Sequence, residues 1–285
     1  MPHLCVNGIQ LYVEDTGQGG QSILFLHGLL FSSRMFDDQV EALKGRYRCV
    51  RLDFRGQGRS TVTRRGYDLD TLADDVIALI ESLDLGPCHL VGFSMGGMVG
   101  MRVALRRPAL IKSLVLMNTS AEAENRRKRP RFALLNLAAR LFGLKPVAPR
   151  IMDLLFSPDF VANAEHAQAR KRWMAYVLAN HRVGVTRAVR GVVSRAGILD
   201  RIEQIHLPSL IITSDQDTTT PPATAERMHE RIRGSRLLTI EGAGHMSPAE
   251  QPAVVNAVLA EFLTDAQQVE QSSTGNPEPI QPGPN

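Results

Sequence analysis

The chain has 285 residues, 44% hydrophobic and 22% charged, a balance that excludes a disordered composition and leaves room for one large domain or a core with an insertion. A net charge of +4 slightly favours anionic partners but falls short of what defines a nucleic-acid binder. No apolar run approaches membrane-span length, which excludes a spanning helix. Cys5, Cys49 and Cys88 form no CxxC, and Cys49 and Cys88 lie in apolar strand-like runs, so reduced thiols are expected. The opening MPHLCVNGIQ has neither a basic n-region nor an apolar h-region, and a cytoplasmic protein is the expectation.

Ile9 to Glu14 alternates and is followed by a Gly17–Gly20 turn, which predicts an edge hairpin. Ile23-Leu24-Phe25-Leu26 is a short continuous apolar run, as in a strand buried on both faces of a parallel sheet, and it ends in His27-Gly28-Leu29-Leu30. A helix is predicted over 33–44, stopped by Gly45, then a strand over 47–52 and a glycine-rich loop, Asp53 to Ser60. An amphipathic helix over 69–83 precedes the apolar run at Leu90-Val91, a helix that Pro108 ends, and a strand over 113–117. Alternating strands and helices predict a parallel, doubly covered sheet.

That rhythm breaks after Asn118. From Ala121 to Arg201 only helical patterns occur, punctuated by Pro146, Pro149 and Pro158, with the only tryptophan, Trp173, in their midst. Strand and helix then return as a strand over 210–213, a helix over 223–232, a strand over 236–240 and a helix over 253–263. From Thr264 the composition turns to Gln, Ser, Pro, Gly and Glu. The expected division is a core of residues 1–120 and 202–263, a helical insertion of 121–201, and a disordered tail of 264–285.

Chemistry concentrates at three loops. His89 to Gly97 reads HLVGFSMGG, a G-x-S-x-G serine at a strand-to-helix turn. The glycines let such a turn close without Cβ collisions, and the turn aims the Met95 N–H and the helix dipole at the space above Ser94 Oγ. A hydroxyl is a poor nucleophile until a base takes its proton, and the base needs a carboxylate to set its tautomer. The strand over 210–213 runs into Ser214-Asp215-Gln216-Asp217, and the strand over 236–240 into Glu241-Gly242-Ala243-Gly244-His245. Parallel strands bring such loops to one sheet edge, in the order Ser94, Asp217, His245.

His27-Gly28, Asp53-x-Arg55-Gly56-x-Gly58-x-Ser60, Gly92-Phe93-Ser94-Met95-Gly96-Gly97, Asp217-xxx-Pro221 and Gly242-Ala243-Gly244-His245 together resemble the α/β-hydrolase superfamily over about Ile9 to Leu263. The resemblance implies an α/β-hydrolase fold, with a mostly parallel central sheet covered by helices on both faces and a helical cap at 121–201. It implies Ser94 as nucleophile, His245 as base, Asp217 as orienting acid, and the N–H groups of Leu29 and Met95 as the oxyanion hole. The expected activity is hydrolysis of a carboxylic ester or lactone, carboxylesterase-like, with an enol-lactonase or cofactor-free perhydrolase as the alternative. A hydrolase-fold receptor with little turnover is the reading from a different class. Leu30, Phe93, Trp173 and Met246 are the expected pocket lining. The partner is then a small ester or lactone, with no nucleic acid; the sequence sets no oligomeric state.

Several residues have blander readings. Asp215, Glu122 and Glu124 compete with Asp217 for the acid. His27 reads as structural, and Asp53, Arg55 and Arg59 as ion-paired supports of their loop. The pattern's usual loop histidine is replaced by Gln57, for which no chemical role can be derived. The histidines show no HxH or HExxH spacing, so neither a metal nor a cofactor is expected. The run Arg126-Arg127-Lys128-Arg129-Pro130-Arg131 reads first as a solvated face, second as steering for an anionic substrate, and last as a nucleic-acid patch.

Overall fold

The computed structural model describes residues 3–17 and 19–274. Eight strands form one sheet: β1 (His3–Val6), β2 (Ile9–Asp15), β3 (Ser22–Leu26), β4 (Arg48–Leu52), β5 (Cys88–Phe93), β6 (Ile111–Met117), β7 (Ser209–Ser214) and β8 (Arg236–Ile240). Their spatial order is β1-β2-β4-β3-β5-β6-β7-β8, antiparallel for β1–β2 and β2–β4 and parallel from β4 onward. The hairpin differs from the sequence expectation. It closes across Asn7 and Gly8, both at positive φ (48° and 74°), and the Gly17–Gly20 stretch joins β2 to β3, which are separated by β4. Asn-Gly with both φ positive matches the twist of a two-residue hairpin turn, and β1 is too short to show its own periodicity.

The helices are α1 (Asp37–Leu43), α2 (Leu69–Ser82), α3 (Met95–Arg106), α4 (Arg129–Phe142), α5 (Ala148–Leu155), α6 (Pro158–Ala162), α7 (Ala167–Leu178), α8 (Arg182–Val193), α9 (Pro222–Arg231), α10 (Ser247–Glu250) and α11 (Pro252–Thr274). Alternate residues of each strand point to opposite faces, so the apolar strands feed two cores. Leu24, Leu26, Leu90, Leu114 and Ile211 pack with Leu72 and Val76 of α2, Val99 of α3 and Met228 of α9. Ile23, Phe25, Val91, Phe93, Val115 and Ile212 pack with Leu43 of α1 and Leu259 of α11. The helices therefore cover both faces, as the strand–helix alternation predicts.

α4 to α8 all fall between β6 and β7, and the stem of this segment closes where the Ile198 N–H donates to the Ala121 carbonyl at 2.7 Å. Of the tail expected to be disordered, the part up to Thr274 continues α11, and 275–285 lies outside the described residues. Its Ala, Gln and Glu are good helix formers, whereas the missing aromatics report on packing and not on helix formation. Among the described residues no helix is long and apolar enough to cross a membrane.

Candidate active site

β5 enters the sheet centre fully buried and ends in a forced turn. Ser94 sits at φ 51°, ψ −116°, a region L-residues avoid, before α3 begins at Met95. The neighbours permit it only as glycines. A Cβ on Gly92 would lie 2.7 Å from the Gly96 carbonyl, and one on Gly96 would lie 2.0 Å from the Leu26 carbonyl oxygen. The Ser94 N–H donates to the Met117 carbonyl at 2.9 Å and its carbonyl accepts from Thr119 Oγ1 at 2.6 Å, so the strained residue is held from both sides.

His245, on the loop after β8, places Nε2 at 2.9 Å from Ser94 Oγ and Nδ1 at 2.8 Å from Asp217 Oδ2. With a carboxylate facing Nδ1, that nitrogen carries the proton, and Nε2 is left to accept from the serine hydroxyl. Asp217 is saturated. Its Oδ1 accepts from the N–H groups of Thr219 and Thr220 at 2.8 and 2.9 Å, and its Oδ2 also accepts from Thr220 Oγ1 at 2.7 Å and Asn118 Nδ2 at 3.0 Å. Burial pushes this carboxyl up, but His245 and the hydrogen bonds from His245, Asn118 and Thr220 outweigh burial and hold it below the ordinary carboxylate value. The competing carboxylates are engaged elsewhere. Glu122 pairs with Arg227 at 2.8 Å, Glu124 with Arg195 at 3.0 Å, and Asp215 accepts the Ala243 N–H at 3.3 Å.

A cavity of about 520 Å³ opens over Ser94, bounded below by Leu29, Phe93 and Met95 and roofed by residues of α4, α5 and α8 such as Leu135, Ile151 and Val185. This volume suits a small-molecule ligand. Leu30 and Phe93 line it as expected, but Trp173 and Met246 do not. Trp173 is 2% exposed and packs edge-on against Phe31, and Met246 belongs to the same core. Amphipathic α7 turns its aromatic into the contact with the sheet domain, and a helix pattern cannot distinguish that face from a cavity wall. Lys128 and Arg131 also line the cavity, and neither has an ion-pair partner among the described residues.

Four further residues support the site. Gln57 Oε1 accepts the Leu30 N–H at 2.9 Å, and Asn180 Nδ2 donates to the Leu30 carbonyl at 2.7 Å, pinning Leu30 at φ 73° beside Leu29. Gln57 thereby has the role its position alone did not reveal. Asn118, at the end of β6, bridges Asp217 and Ser247, whose Oγ donates to Asn118 Oδ1 at 2.6 Å. Glu250 accepts the Gly244 N–H and the Ser157 N–H, both at 3.0 Å, tying the His245 loop to α6. Asn118 was accessible to the strand-end argument that found Ser94; Asn180 and Glu250 carry no local signal. His27 accepts the Phe54 N–H at Nε2 (2.9 Å) and faces the Gly28 carbonyl at Nδ1 (2.7 Å), a structural arrangement. Arg59 and Asp53 support their loop as expected, while the partner of Arg55 is Asp75 of α2. Among the described residues no cluster of three His, Cys, Asp or Glu is placed to hold a metal.

Comparison with known proteins agrees with this fold. The family described as alpha/beta hydrolase fold matches residues 21–252. The AB hydrolase superfamily protein YisY of Bacillus subtilis is 30% identical over 89% of this chain and 95% of its own length. 3-Oxoadipate enol-lactonase 2 of Acinetobacter baylyi is 27% identical over 91% of this chain and 96% of its own. The thermophilic esterase of Thermogutta terrifontis superposes with a TM-score of 0.85 at 27% identity, covering 93% of this chain and 97% of that one. With more than half of its length matched and the sheet order and elbow of that fold, the chain belongs to the α/β-hydrolase superfamily.

Proposed function

We propose that this protein is a serine hydrolase that cleaves a carboxylic ester or lactone through an acyl-enzyme on Ser94. The observation that carries the reading is the unbroken relay Ser94 Oγ to His245 Nε2 (2.9 Å) and His245 Nδ1 to Asp217 Oδ2 (2.8 Å), opening into a cavity of small-molecule size. His245 takes the hydroxyl proton as Ser94 Oγ attacks the acyl carbon. The N–H groups of Leu29 and Met95 receive the developing oxyanion, and His245 returns the proton to the leaving alcohol oxygen. A water, deprotonated by the same imidazole, then cleaves the acyl–serine bond and frees the acid. Residues 121–201 act as the cap that shapes the acyl and alcohol subsites, and the three free cysteines suit a reducing, cytoplasmic setting.

A carboxylated lactone is the second reading, favoured by Lys128 and Arg131 on the cavity wall, which have no ion-pair partner among the described residues, and by the likeness to an enol-lactonase. The test is a panel of p-nitrophenyl esters and of neutral and carboxylated lactones, run with Ser94→Ala alongside. Loss of turnover and of fluorophosphonate labelling in the variant is expected. Undiminished hydrolysis by Ser94→Ala overturns the mechanism, and labelling with no multiple turnover on any substrate points to a receptor.

A further inference from the structure

α4 presents two faces of opposite use. Its inner face, with Phe132, Leu135 and Ala139, lines the cavity. Its outer face carries Leu134, Leu137 and Leu141 at i, i+3 and i+7, exposed at 69%, 53% and 59%, with Phe142 exposed at 73%. These are four of the six exposed large hydrophobics among the described residues. A solvated helix does not need a leucine stripe facing outward, and apolar side chains gathered on one outer face mark a contact surface.

The charge around this stripe identifies the occupant. Residues 125–152 hold eight Lys or Arg and no Asp or Glu. Five of the eight cluster at the start of α4, in Arg126 to Arg131. The neighbouring helix α8 adds Arg182, Arg187 and Arg190 and also has no acid. Arg182 reaches the Leu141 carbonyl at 3.5 Å, so the cationic α8 start borders the apolar end of α4. An apolar stripe flanked by a polybasic run is the composition of a helix that lies in the interface of an anionic bilayer. A second copy is disfavoured, because a two-fold contact would set this cationic surface against itself. Nucleic acid would use the arginines and leave the leucines unexplained.

We propose that the outer face of α4 docks on an anionic phospholipid surface, with Leu134, Leu137, Leu141 and Phe142 entering the headgroup boundary and the exposed Arg126 and Arg127 lying over the phosphates. Docking sets the helix that roofs the cavity against the bilayer, so an apolar substrate dissolved in the membrane meets the protein at the cavity wall. The inference concerns the surface alone and stands or falls apart from the role of Ser94.

The test is sedimentation of the full chain with vesicles of phosphatidylcholine alone or of equal parts phosphatidylcholine and phosphatidylglycerol. The expected result is co-sedimentation with the anionic vesicles only, lost as salt shortens the screening length from ~10 Å at 0.1 M to ~3 Å at 1 M. Arg126→Gln with Arg127→Gln weakens binding about 25-fold, about fivefold per charge removed. Leu134→Gln with Leu141→Gln weakens it as well, while both double variants keep the wild-type Tm. On the unmodified protein, anionic vesicles protect the amides of 129–142 from hydrogen exchange, which holds the inference to account even if a variant misfolds. Equal binding to neutral vesicles, no protection, or variants that bind like wild type each overturn it. So does a concentration-dependent dimer abolished by Leu134→Gln with Leu141→Gln, or salt-sensitive RNA binding that this variant leaves intact.

Discussion

Replacing Asp217 by Asn changes one oxygen to an NH2 group, and the structure dictates which one. Two backbone N–H groups, of Thr219 and Thr220, point at Oδ1 from 2.8 and 2.9 Å, so the amide oxygen must take that place. The NH2 then stands where Oδ2 was, facing His245 Nδ1 at 2.8 Å and the Asn118 NH2 at 3.0 Å. A donor opposite Nδ1 drives the imidazole proton to Nε2, and the nitrogen beside Ser94 can no longer accept the hydroxyl proton. Loss of the correct tautomer costs about 10⁴ in kcat, about 5.5 kcal/mol of transition-state stabilisation. The pH dependence follows from the same contacts. The folded-state carboxyl lies below its unfolded value of 3.8, so its contribution to stability is complete above that value and is lost as pH falls toward the folded one. Wild type should therefore lose thermal stability more steeply than Asp217→Asn as pH is lowered below about 4. The assay is kcat for a short p-nitrophenyl ester, with Tm recorded as a function of pH. An Asp217→Asn variant with native Tm and activity within tenfold of wild type would refute the placement of Asp217 as the partner of His245.

Gly96→Ala puts a methyl 2.0 Å from the Leu26 carbonyl oxygen, where backbone must move; we expect a loss of about 3 kcal/mol or more, read as a lower Tm with kcat reduced alongside. Asp75→Asn leaves the Arg55 guanidinium, 7% exposed and held by two 2.7 Å bonds, without its anion; a cost of about 3 kcal/mol, on the order of 10 °C in Tm, is expected with the ester KM unchanged. Trp173→Phe keeps a ring against Phe31 and removes an indole N–H that has no hydrogen-bond partner among the described residues, so only the lost buried volume should count, at about 1–3 kcal/mol, and KM should stay the same. A raised KM in that variant would return Trp173 to the substrate pocket.

The alternation of buried runs with amphipathic helices was enough to set a doubly covered parallel sheet, because a strand apolar on both faces needs helices above and below it. The same reasoning put Ser94, Asp217 and His245 just past three strand ends, and the structure brings these three within hydrogen-bond reach. Local chemistry was legible wherever a short segment imposed its own geometry: the glycines around Ser94, whose Cβ atoms would strike backbone, are the clearest instance.

Other features depend on contacts between segments far apart in the chain. Which carboxylate meets His245 rests on Asn118, Thr219 and Thr220 gathering around Asp217, while Arg227 and Arg195 draw Glu122 and Glu124 away. Gln57 and Asn180, separated by more than a hundred residues, hold Leu30 from its N–H and its carbonyl. The helical pattern of 121–201 marked apolar stripes without saying what each would face. Tertiary packing sent Trp173 into the core, Leu135 to the cavity and Leu134 to solvent, since a periodicity of 3.6 records an apolar side but not its partner. The order of residues thus determined the sheet and the three groups available for chemistry at its edge. Only the folded chain decided which carboxylate faces His245, what holds Leu30 and which residues wall the cavity, because each is made where distant segments meet.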